Sequence, residues 1–216
     1  MLSKLLNPVK PLFRYWRRKE YIVDAESFQR FTATRSSYVA QVSLYGYLKT
    51  RAGTRHFSLI KDPVFEASMK KARNRIYFAC LEDLIFYAVG RLSVEDESRS
   101  PQLSSIARVT FKKALKETPQ EIFEDVSSKE LLSRFEKRVS SIVWGPNTEV
   151  AEAFSRSIQA LLQWAPVVQE MKKDDAEIVS NSIYFKWLRV CQEYKNLLDA
   201  EKVLTSWQGN PAPWNT

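Results

Sequence analysis

Two adjacent acids, Glu82 and Asp83, are the residues of this chain that a folded protein would find hardest to place. Every other position from Ile76 to Val89 is apolar, so a helix through this stretch has no face left for water and belongs in a core. An isolated charge in such a place costs several kcal/mol unless it is paired. Two neighbouring carboxylates in a pocket could instead drive one pKa upward and serve as a general acid or base. The nearest candidate counter-charge is Arg35, on the apolar stripe of a preceding helix. If the two helices pack as an antiparallel hairpin, Arg35 faces roughly residues 77 to 81, within side-chain reach of both acids. A structural cluster of Arg35, Glu82 and Asp83 is the favoured reading, because pairing is the usual remedy for buried charge.

Other chemistry is thinly supplied. The single histidine, His56, leaves no paired-His metal site and no H-E-x-x-H or E-x-x-H motif. No Gly-x-Ser-x-Gly elbow is present, and the five glycines build neither G-x-G-x-x-G nor G-x-x-x-x-G-K. Cys80 and Cys191, 111 positions apart, both lie in apolar patterns, so neither a zinc site nor a CxxC redox pair is available. A reducing compartment is the simpler reading of that inventory, although one long-range disulfide is compatible with it. No metal, cofactor or catalytic residue is expected, and a small-molecule substrate is not expected either.

Charge carries more information. The chain has a net charge of +8. Residues 1 to 91 hold 17 basic and 7 acidic groups, net +10, and the remaining 125 residues hold 16 and 18, net −2. An anionic partner would meet the first half. Lys49, Arg51, Arg55 and His56 form a basic connection that could take phosphates, supplemented by Lys61, Lys70, Lys71, Arg73 and Arg75. A solvated face is the favoured reading of such a run, and no nucleic-acid-binding signature accompanies it.

The first nineteen residues contain six Lys or Arg and no acid. Lys4, Lys10, Arg14, Arg17, Arg18 and Lys19 alternate there with Phe13, Tyr15, Trp16 and several leucines. That composition suits a membrane interface, with rings at headgroup depth and cations on anionic lipid. It equally suits a targeting segment or an arm docked on its own domain. Pro8 and Pro11 break any long helix in it.

Helices must position all of this. Phe28, Phe31, Tyr38, Val42 and Tyr45 set a three-four stripe over 25–49. Asp62-Pro63 starts a helix that can run to Leu92. Ser100-Pro101, Thr118-Pro119-Gln120-Glu121 and Ser127-Ser128-Lys129-Glu130 open helices near 101–117, 119–126 and 129–144, the last stopped by Gly145-Pro146. A helix from about Thr148 ends or kinks near Pro166, and Asp174-Asp175 opens a final one that reaches Trp207. No stretch alternates convincingly enough to be a strand.

The fold expected is therefore all-α, with six to seven helices around a buried central helix at about 63–92. The expected division is a basic aromatic arm (1–24), a helical domain (25–208) and an irregular tail (209–216). The function expected is that of a non-enzymatic interaction or assembly protein. It would sit on an anionic membrane surface or a membrane protein complex through its arm, on the cytoplasmic face or in an organelle matrix. Six tryptophans, Trp207 and Trp214 near the C-terminal end, add surface suited to protein partners. The alternatives are RNA or other nucleic-acid binding through the basic half, and an enzyme built on the buried carboxylates.

Overall fold

A computed structural model describes residues 20–55, 58, 61–92, 100–124, 126–145 and 153–208. Within them the protein is all-helical, with seven α-helices in one domain. These are α1 (Ala25–Ala52), α2 (Pro63–Gly90), α3 (Ser100–Glu117), α4 (Ser128–Ser141), α5 (Ser155–Trp164), α6 (Gln169–Leu197) and α7 (Ala200–Gln208).

α2 is the axis of the fold. Asp62 accepts from the amides of Val64 and Phe65, with Pro63 in the first turn, so the start is the one that the sequence encodes. From Phe78 to Gly90 every residue is buried. α1, α3 and α5 enclose it, and α6 completes the wall against α1 and α5. The helix without a wet side is thus the core, held by the water-to-interior transfer of its large side chains at about 1.5–3 kcal/mol each. Rings knit the layers: Tyr194 of α6 meets Phe31 and Tyr87 at 5.4 and 6.3 Å, while Phe154 stacks on Trp187 at 4.1 Å.

α1 opens with a capping box. The Ser27 amide donates to Asp24 Oδ1 at 2.7 Å, and the Asp24 amide donates to Ser27 Oγ. It closes on Gly53, whose φ of 52° lies in the left-handed region that glycine tolerates. Gly90, the last residue of α2, is a glycine for a different reason: a Cβ there would sit 2.8 Å from the carbonyl oxygen of Gly145, so the chain after α4 can pass against α2 only if no side chain intervenes.

Several boundaries differ from those expected. The segment 119–126 forms a short 3-10 turn, Gln120–Glu124, and α4 ends at Ser141 because Ile142 is already extended. α6 begins at Gln169, so Asp174-Asp175 lies inside it: Asp175 turns inward to accept from the Tyr47 hydroxyl at 2.8 Å and from Arg51, and caps nothing. The expected run to Trp207 is interrupted at Leu198, which is extended and forms a parallel bridge with Ile22. Asp199 then starts α7 by accepting from the Lys202 amide. Ile22 itself is buried, so residues 20–24 belong to the helical domain and not to the arm. Trp207 packs partly buried against the core.

Candidate functional site

Glu82 and Asp83 are both fully buried, as their apolar setting requires, but Arg35 is not their partner. The helix register is the expected one: the Ser36 hydroxyl donates to the Cys80 carbonyl. Successive residues on a helix point about 100° apart, so with Ser36 facing α2, Arg35 looks toward α6. There its Nε donates to Glu193 Oε2 at 2.8 Å and its terminal nitrogen to Oε1 at 2.5 Å, a forked pair.

The acids are met instead from the other side of α2. Arg134 and Arg138, one turn apart on α4, take Glu82 and Asp83 respectively, Arg138 at 3.0 Å. Arg134 reaches Glu82 through Nε at 2.9 Å as well as through a terminal nitrogen, and Arg156 of α5 reaches the other oxygen of Glu82 at 3.4 Å. Asp83 also accepts from the Ser157 amide at 2.8 Å, in the first turn of α5, a helix whose own N-cap residue, Phe154, offers no capping side chain. Carboxylates near a helix N-terminus are favoured by its exposed amides and dipole. The other end of α5 is closed by buried Lys172, whose Nζ donates to the Gln163 carbonyl at 2.8 Å.

Burial dominates the electrostatics. It pushes the Asp83 carboxyl up to about 6, against the opposing pull of Arg138 and the Ser157 amide. It also raises the thiols of Cys80 and Cys191, which are free and buried. Arg138 is clamped further by the Phe86 ring, 4.1 Å below its guanidinium.

Where the Glu82 pairs reach the surface, a groove of about 330 Å³ opens between α2, α4 and α5. Arg75, Arg134 and Arg156 line it, with Gln159, Gln163 and Trp164, and among the described residues Glu82 is the one acid of the lining, so the described lining carries a net charge of +2. The Arg75 guanidinium lies over the Trp164 ring, its carbon 3.9 Å from the ring centre. The Arg134 and Arg156 side chains stay 50% and 42% exposed while bonded to Glu82, so each presents donors to solvent as well as to the buried acid. Planar, forked donors aligned around one opening suit a phosphate or carboxylate. Comparison with known proteins finds no family model, no curated protein and no solved structure that matches this chain.

The basic connection fares differently. Arg51 is committed to Asp175, Lys49 is exposed on the last turn of α1, and the Arg55 side chain and His56 lie outside the described residues. So do Lys4, Lys10, Phe13, Arg14, Tyr15, Trp16, Arg17, Arg18 and Lys19 of the arm, and Trp214 of the tail. Among the described residues no group of three or more His, Cys, Asp or Glu could hold a metal ion, and no helix is long and apolar enough to cross a membrane. The residues that sequence reasoning missed are Arg134, Arg138 and Arg156. The i, i+4 spacing of Arg134 and Arg138, one turn apart like a clasp for two acids, was the available signal.

Proposed function

We propose that the protein is a non-enzymatic interaction or assembly protein that docks on an anionic membrane surface, with the Arg75–Arg134–Arg156 groove taking a lipid phosphate and the arm of residues 1–19 supplying further attraction. The observation that carries this reading is the convergence of three guanidiniums on one open groove around Glu82, a carboxylate already paired with two of them. The enzymatic alternative is weaker on the same ground: both oxygens of Glu82 are occupied by guanidiniums, so it could take a substrate proton only by giving up a pair. The acid-free composition of the arm adds six cations, each contributing about 1 kcal/mol near an anionic leaflet.

Co-sedimentation with vesicles tests it. The full chain should bind phosphatidylserine-containing vesicles, not pure phosphatidylcholine, and binding should weaken with salt. Arg156→Gln leaves Arg134 on Glu82 and should weaken binding roughly fivefold, the equivalent of about 1 kcal/mol. Deleting residues 1–19 should weaken it much further. Equal binding to neutral vesicles, or salt-dependent binding to RNA with none to anionic lipid, would replace the membrane reading.

A further inference from the structure

Five of the eight large apolar side chains most exposed among the described residues fall on one helix or its first cap: Val168, Met171, Ile178, Phe185 and Leu188. Met171, Ile178 and Phe185 recur every seven residues, two helical turns, and so lie on one line down the outside of α6. Ile178 and Phe185 are 72% and 63% exposed, whereas Val179, Ile183, Trp187 and Val190 bury the opposite face. The stripe from Met171 to Leu188 is about 25 Å long at 1.5 Å per residue. A soluble monomer rarely leaves so continuous an apolar line uncovered.

Charge beside the stripe is sorted by end. Glu170, Asp174 and Glu177, with Lys173, make the N-terminal half acidic, while Lys186, Arg189 and Lys195 make the C-terminal half basic, Glu193 there being engaged by Arg35. We propose that this face of α6 is a homodimer interface, two copies packing their α6 helices antiparallel so that the acidic half of each lies along the basic half of the other. A two-fold axis across the middle of the stripe sets Ile178 beside Phe185 of the second copy and Asp174 beside its Arg189. The same axis brings Glu170 and Glu177, on one flank, toward the flank that carries Lys195. Antiparallel packing also opposes the two helix dipoles favourably. An anionic membrane is a poor occupant of this face, because three carboxylates border it. The proposal stands apart from the arginine groove, which lies on other helices.

One helix face is a small interface, so association should be weak and appear as a mass that rises with protein concentration. Sedimentation velocity on the full chain should show a monomer–dimer equilibrium, and Ile178→Asp should abolish the dimer while circular dichroism stays helical. Two charge variants decide the occupant: Asp174→Lys/Glu177→Lys, and Arg189→Glu/Lys195→Glu. Each alone should be monomeric, and an equimolar mixture should form a one-to-one heterodimer, visible by native mass spectrometry. A chain that stays monomeric at every concentration, a dimer indifferent to Ile178→Asp, or two charge variants that ignore each other on mixing overturns the proposal.

Discussion

Asp83→Asn is the substitution that reads most directly on the buried clasp. Burial raises the Asp83 carboxyl from 3.8 to about 6, despite its hydrogen bonds from Arg138 and the Ser157 amide. Between those two values the folded protein holds a proton that the unfolded chain releases, so this group stabilises the fold fully below pH 3.8 and loses that contribution as pH rises through 6. A shift of about two units corresponds to about 3 kcal/mol at 1.36 kcal/mol per unit. Asparagine does not titrate, and its side-chain oxygen can still accept from the Ser157 amide. Urea unfolding at intervals from pH 4 to 7 should therefore show the wild type losing about 2.4 kcal/mol relative to Asp83→Asn, the part of that total that falls within this range. A constant difference across that range would refute the reasoning. A difference that moves the other way would show that Arg138 and the helix start hold the ionised form more strongly than burial opposes it.

Further outcomes follow from the same contacts. Arg134→Met/Arg156→Met leaves Glu82 buried without a counter-charge and should cost about 3–5 kcal/mol in denaturant unfolding, most of it recovered when Glu82→Met is added. Gly90→Ala pushes a methyl to within 2.8 Å of the Gly145 carbonyl and should destabilise by about 1–3 kcal/mol. Gly46→Ala, in an α1 position with nothing within 4 Å of a new Cβ, should instead stabilise by about 0.5–1 kcal/mol.

Which of these features could be read from the chain depends on whether the physics was local. Asp62-Pro63 and the run from Ile76 to Val89, apolar but for Glu82 and Asp83, are local signals, and α2 lies where they put it. The burial of Glu82 and Asp83 followed from that run alone. Their partners did not, because a side chain's azimuth decides them: Arg35 occupies the right height on α1 and the wrong side of it. Asp174-Asp175 imitates a helix start, yet tertiary pairing of Asp175 with Tyr47 and Arg51 overrides that propensity. The groove was invisible for a related reason. Arg75, Arg134 and Arg156 come from three helices, and no spacing in the sequence brings them together.

α5 shows what such borrowed contacts imply for the order in which the protein assembles. Its ten residues are too few for a helix to persist in water by itself, and the groups that finish its two ends, Asp83 and Lys172, belong to other helices. The first of these lies 74 positions upstream of the amide that it receives. A peptide of this segment alone should therefore remain coil, and in the whole chain α5 should winds up only once α2 is already in place to receive it, as a late arrival that seals the core.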